Sequence, residues 1–215
     1  MDRIRKLISA EQPLKWLFYG DSITHGAYHT FGQRDYVELF TERVRFELGR
    51  VLDVVIKTAI SGDTTRGLLA GFDWRVAQFK PDVVLVMIGM NDCSAGRNIG
   101  LDEFRGNLLA LADRLAALGA LAVLQTTCPI LPGTSPDREP NYPQYMDAIR
   151  SVAAARHLPL IDHQRYWSQN AGKLYYWMSD AFHPNELGHR AFALLLYREL
   201  GIEDPASACC RLFIP

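Results

Sequence analysis

The chain has 215 residues, of which 48% are apolar and 22% charged, and a formal net charge of −1. These are the proportions of an ordinary globular protein, long enough to bury about 70% of its unfolded surface. So even a charge balance gives no electrostatic reason to expect nucleic acid or an anionic membrane as a partner. No run approaches the eighteen or so apolar residues of a membrane span. The economical reading is one domain over residues 1–215, with no internal repeat and no low-complexity segment.

Residues 1–15 carry Arg3, Arg5 and Lys6 but no apolar stretch of signal-peptide length. Residues 14–19 then read as a short buried strand, and Gly20 permits a sharp exit that leaves Asp21 and Ser22 at its carboxyl end. A helix is expected over 36–48 and a strand over 51–57, followed by the turn Ala59-Ile60-Ser61-Gly62-Asp63-Thr64. A helix over 67–79 leads to the strongest strand signal, 83–88, and to the turn Gly89-Met90-Asn91-Asp92. Further along come a helix over 101–118 and a strand over 120–126. The proline-rich stretch 128–143 must be a loop, because Pro129, Pro132, Pro136 and Pro140 cannot sit inside regular elements. A helix over 142–156, a strand over 158–161 and a last helix over 187–200 complete the series. Strands alternating with helices predict an α/β fold: a parallel sheet covered by helices on both faces. In such sheets ligands bind at the carboxyl ends of the strands.

Two distant fragments carry the chemistry. A serine hydroxyl is a weak nucleophile unless an imidazole can take its proton and a carboxylate holds that imidazole in the useful tautomer. Ser22 supplies the hydroxyl, and Asp180 and His183, three residues apart in a turn before a helix, supply the other two. Of the six histidines only His183 has a carboxylate at i−3 in a loop; His25 and His29 lie in the loop after Ser22, and His189 lies inside the last helix. Taken singly, each fragment also reads as an ordinary turn or helix cap. A hydrolase of this kind needs donors where negative oxygen develops, and two turns can provide them. Gly62 can bring its backbone N–H close to a substrate, and the Asn91 side chain can donate into the same space.

With those residues in order, the chain resembles the SGNH hydrolases, also called GDSL-like lipases or esterases, whose name-giving residues match here as Ser22, Gly62, Asn91 and His183. The resemblance runs from about Trp16 to Leu200 and includes Gly20-Asp21-Ser22, Gly89-Met90-Asn91-Asp92 and Asp180-Ala181-Phe182-His183-Pro184. Ile23 departs from the leucine of the GDSL name, which puts nothing catalytic in doubt. The resemblance implies Ser22 as nucleophile, His183 as general base then acid, and Asp180 as its orienter. The implied oxyanion donors are the N–H groups of Ser22 and Gly62 and the side chain of Asn91. It also implies a three-layer αβα sandwich with a five-stranded parallel sheet in the flavodoxin-like order 2-1-3-4-5.

The expected activity is a serine esterase cleaving small-molecule carboxylic esters through an acyl-enzyme, with no metal and no organic cofactor. Short acyl chains are favoured because no lid domain is inserted, and acetyl esters of carbohydrates fit that preference. A lysophospholipase or thioesterase of the same mechanism, or a noncatalytic binding module on the scaffold, are the alternatives. A flavin-binding reading meets the objection that Asp21 would repel a phosphate after the first strand. Trp167, Tyr175, Tyr176 and Trp177 precede Asp180 within a second expected loop region, and either core filling or substrate contact suits them. Cys93, Cys128, Cys209 and Cys210 show no zinc-ligand spacing, and the adjacent pair is a poor disulfide candidate. A reduced, cytoplasmic setting is expected. Oligomeric state is not legible.

Overall fold

The apolar runs at 16–19 and 83–87 become inner strands of one parallel sheet, buried on both faces as continuous runs of this kind require. The computed structural model describes residues 1–212 and Ile214. Its strands are β1 (Lys15–Gly20), β2 (Val54–Lys57), β3 (Val83–Met87), β4 (Leu121–Gln125) and β5 (Leu160–Ile161), in the order β2-β1-β3-β4-β5. All four pairings are parallel, with Leu17 beside Ile56 on one side and Gly20 beside Met87 on the other. Every carboxyl end therefore lies along one edge.

The helices are α1 (Asp2–Ser9), α2 (Ser22–His25), α3 (Tyr36–Glu42), α4 (Thr65–Ala70) and α5 (Phe72–Arg75), then α6 (Leu101–Ala117), α7 (Tyr142–Ala155), α8 (His163–Ser168), α9 (Leu174–Trp177) and α10 (Glu186–Leu200). They cover both sides of the sheet: α3 packs with α10, and α6 packs with α4 and α7. On the α3 side the rings of Trp16 and Phe18 meet Phe40 edge to face, each pair with centroids 5.2 Å apart. Such aromatic pairs contribute about 0.5–1.5 kcal/mol beyond the area they bury.

Three expectations change in detail, each for a visible reason, and one element was not expected. The strand expected over 51–57 starts only at Val54, because Asp53 turns inward to accept from the Leu14 N–H and the Trp16 indole while pairing with Arg50. Val51 and Leu52 are left exposed. The helix expected over 67–79 is broken into α4, α5 and a 3-10 turn, because Arg75 turns into the protein, where its guanidinium donates to the Thr58 carbonyl and pairs with Asp63. The helix expected over 36–48 becomes a π-helical turn at Arg43–Glu47, where buried Arg43 reaches the Ile202 carbonyl at 2.7 Å. Finally, α1 had no counterpart in the sequence reading. Its Ile4, Leu7 and Ile8 recur at helical spacing, and Ile4 is fully buried.

Candidate active site

Ser22, Gly62 and Asn91 follow β1, β2 and β3, so the parallel sheet sets all three along one edge. Gly20 is required by proximity rather than by turn geometry. It is the last residue of β1, and a Cβ there would sit 2.2 Å from the Met87 carbonyl oxygen of the neighbouring strand. Asp21 then caps α2, its side chain accepting from the Ile23 N–H at 3.0 Å. Ser22 is the first residue of α2, so its N–H is one of the first-turn donors that have no intrahelical acceptor. Burial, partly opposed by the Ile23 N–H and reinforced by Asp92 and Asp63, pushes the Asp21 carboxyl up to about 7. Asp92 is likewise raised, to about 6, chiefly by burial and against hydrogen bonds from Thr65.

The turn after β2 is fixed from several sides. Gly62 has φ +81°, a left-handed conformation that favours glycine, and a Cβ there would meet only the Arg97 guanidinium, at 3.6 Å. Among the described residues its N–H has no backbone acceptor. The Asn91 amide donates to the Asp63 carbonyl at 2.9 Å, which ties the third turn to the second and leaves one N–H of that amide uncommitted. His25 Nδ1 lies 3.0 Å from the Ser61 hydroxyl, joining the second turn to α2. Arg75 completes the frame beneath. It pairs with the Asp63 carboxylate, donates to Thr58 O at 2.7 Å and lies over the Tyr19 ring at 4.5 Å. Gly67 lets the Asp63 carboxylate approach, since a Cβ there would overlap it. The sequence reading missed this frame, because Arg75 fell in the middle of an expected helix.

From the far end of the chain, the segment before α10 delivers the remaining groups. Its hairpin is closed by the bridge between Met178 and Pro184 and by the Ser179 N–H donating to the His183 carbonyl. Asn185 caps α10 through Leu187 N and Gly188 N. The proline-rich loop after β4 backs this hairpin: the Leu131 N–H donates to Ala181 O, and the Arg138 guanidinium lies 4.3 Å over the Phe182 ring. His183 Nε2 is thereby placed 2.8 Å from Ser22 Oγ, and His183 Nδ1 is 3.0 and 2.9 Å from Asp180 Oδ1 and Oδ2. Asp180 Oδ1 also accepts from the backbone N–H groups of Phe182 and His183. Partial burial acts to raise the Asp180 pKa, but these hydrogen bonds and the His183 ring outweigh it and leave it lowered. Asp180 is thus an ionised acceptor at neutral pH.

The structure therefore brings Ser22, His183 and Asp180 into one hydrogen-bonded chain, with Gly62 and Asn91 on the same sheet edge. Two further outcomes concern the aromatics and the histidines. The aromatics expected in a loop lie on α8 and α9 instead, where Trp167 and Trp177 are buried and meet each other edge to face at 4.9 Å, which is core filling; Tyr175 and Tyr176 are exposed. His29, separated from His183 by most of the chain, stacks flat on its ring with centroids 3.7 Å apart and planes 7° from parallel. No spacing signal in the sequence could have found that contact.

His29, Asp180 and His183 are the group among the described residues whose donor atoms lie close enough to suggest a metal site. Their arrangement does not suit one. Two stacked imidazoles hold their lone pairs in nearly parallel planes about 3.7 Å apart, so no ion can lie in both planes at the roughly 2.0–2.1 Å that nitrogen ligands need. A cavity of about 640 Å³ lined by Ile8, Pro13, Arg50 and Asp53 lies at the opposite edge, where the strands begin. The Arg50 guanidinium there is already engaged by Asp53 and by the carbonyls of Ile8, Ala10 and Gln12.

Known proteins resemble this chain in sequence and in fold. Residues 18–191 match the family described as the GDSL-like lipase/acylhydrolase family. An acetylxylan esterase from Geobacillus stearothermophilus is 29% identical over 209 residues, covering 88% of this chain and 94% of that protein. A solved structure of a mutant acetyl-xylooligosaccharide esterase from the same organism superimposes with a TM-score of 0.77 at 26% identity, covering 89% of this chain and 97% of that one. An α/β hydrolase from the metagenome of Lake Arreo, Spain, gives a TM-score of 0.74 at 24% identity over 90% of this chain and 99% of the other, a likeness of fold alone.

Proposed function

Because the chain belongs to the GDSL-like lipase/acylhydrolase family and is a carboxylic ester hydrolase, we propose that it removes acetyl groups from carbohydrate esters, with Ser22 as nucleophile. The observation that carries the mechanism is the 2.8 Å contact between Ser22 Oγ and a His183 ring whose other nitrogen faces Asp180. In this reading Ser22 Oγ attacks the ester carbonyl while His183 Nε2 takes its proton. The oxyanion is met by the N–H groups of Ser22 and Gly62 and the uncommitted N–H of Asn91. His183 gives that proton to the departing sugar oxygen, which leaves as a hydroxyl. A water then gives its proton to the same nitrogen and attacks the acyl-serine; as the Ser22 Oγ–acyl bond breaks, His183 Nε2 returns that proton to Oγ and acetate leaves.

The carbohydrate and the short acyl group rest on the acetylxylan esterase relative. Exposed Tyr175 and Tyr176, a few residues before Asp180, are apolar faces suited to sugar rings. We take residues 1–215 as one domain. Among the described residues no helix is long and apolar enough to cross a membrane, and all four cysteines are free thiols, which suits a cytoplasmic setting.

A panel of p-nitrophenyl esters, lengthened one carbon at a time, together with acetylated xylooligosaccharides, tests the substrate class. The expected kcat/KM is highest for acetyl and falls with each added carbon, with acetate released from the oligosaccharides. A rise towards long acyl chains or a preference for thioesters would instead favour the lysophospholipase or thioesterase alternative.

Asn91→Ala is expected to lower kcat by about 10²–10³ with little change in KM, since a donor to the oxyanion strengthens only as charge develops. Asn91 also holds the Asp63 carbonyl, so melting temperature should be measured on the same preparation. A lowered melting temperature beside an unchanged kcat would reduce Asn91 to a turn residue.

A further inference from the structure

We infer that His29 is a positioning residue for the reaction, acting through its flat stack on the His183 ring. The inference rests on the assignment of Ser22, His183 and Asp180 made above.

A proton shuttle must keep its ring in one plane. The in-plane hydrogen bonds of His183 to Ser22 and Asp180 fix where its nitrogens point, but they resist poorly a swing of the ring out of that plane. His29 opposes that motion, lying face to face at 3.7 Å with only 7° between the planes. Its Nδ1 also lies 3.5 Å from Asp180 Oδ2, so His29 touches both the ring and its carboxylate partner. Both imidazoles are mostly covered, with side-chain exposures of 17% and 12%.

The chain invests backbone strain in putting His29 there. Its neighbour Tyr28 has φ +74° and Phe31 has φ +50°, left-handed conformations that bulky residues rarely adopt. Both of those aromatic side chains are largely exposed, and the Tyr28 ring meets His29 edge to face with centroids 5.4 Å apart, so the strained backbone is not accounted for by burial in the core. The base of the loop is held independently: Lys57 donates to the His25 carbonyl at 2.9 Å and pairs with Asp35, which caps α3. At Gly26, φ is +71° and a Cβ would fall 2.5 Å from the Asp35 Cβ, so the loop closes tightly on α3. Burial and the neighbouring His183 lower the pKa of His29, against the pull of Asp180, so it presents a neutral ring. A neutral ring can stay stacked when His183 takes the serine proton, where a second cation would be repelled.

Small misplacements of a reacting group are costly in rate, and loss of one aromatic contact is expected to cost about tenfold, the equivalent of about 1.4 kcal/mol. The test compares His29→Ala, His29→Gln and His29→Phe with wild type, measuring kcat, KM and melting temperature on p-nitrophenyl acetate, with Ser22→Ala assayed in parallel. The inference expects His29→Ala and His29→Gln to lose about tenfold in kcat with KM within about twofold, and His29→Phe, which restores a flat ring, to recover to within about threefold of wild type. Wild-type kcat in both ringless variants, or a His29→Phe no faster than them, overturns it. If His29→Ala does not fold, the contrast between His29→Gln and His29→Phe decides alone. A Ser22→Ala that still turns over would instead strike the assignment on which the inference rests; an inactive Ser22→Ala beside fully active ringless variants strikes the inference only.

Discussion

Ser22→Ala and His183→Ala are each expected to lower kcat by about 10⁵–10⁶-fold while leaving the protein folded, and the double variant to be little worse than either. The reason is mutual dependence. Without the hydroxyl, His183 has nothing to deprotonate at 2.8 Å; without the ring, the hydroxyl keeps its proton and remains a poor nucleophile. Neither side chain is a large part of the core, so circular dichroism and melting temperature should change little. Steady-state assays of the two single variants and the double variant on one confirmed ester make the measurement. A Ser22→Ala retaining more than a few per cent of wild-type rate would end the nucleophile assignment.

Asp180→Asn is expected to lower kcat by about 10³–10⁴ with little effect on KM, close to the loss typical when a triad carboxylate becomes an amide. Asp180 Oδ1 accepts from two backbone N–H groups as well as lying 3.0 Å from His183 Nδ1. The asparagine oxygen should keep that position, which preserves the hairpin and turns the amide NH₂ towards the imidazole. The negative charge that stabilises the imidazolium is lost, and the amide favours the tautomer with its proton on Nε2, facing the serine hydroxyl. Wild-type kcat in Asp180→Asn would remove the orienter role.

What could be read beforehand, and what could not, follows from the range of each signal. The strands after which Ser22 and Asn91 sit are local apolar runs, and their central place in the sheet follows from burial on both faces. The Asp180–His183 pair is likewise local, three residues apart within one hairpin. Strand order came from family resemblance, because periodicity within a strand says nothing about its neighbour. Arg75 and Asp53 defeated local reading for a different reason: each is a charged side chain turned inward to a partner far along the chain or to backbone carbonyls, so it interrupts an element that propensity would continue. His29 carries no local signal at all. Its meaning lies in a ring 154 positions away, and only the closed fold brings the two together.

The central claim is that one serine, activated by one histidine, carries the acyl group. Reaction with a p-nitrophenyl organophosphonate, followed by intact mass and peptide mapping, reads this directly. The account predicts a single phosphonyl adduct on Ser22, formed with loss of esterase activity, much slower in His183→Ala and absent in Ser22→Ala. An adduct on another residue that abolishes activity, or a protein that remains unlabelled while it hydrolyses esters, would contradict it.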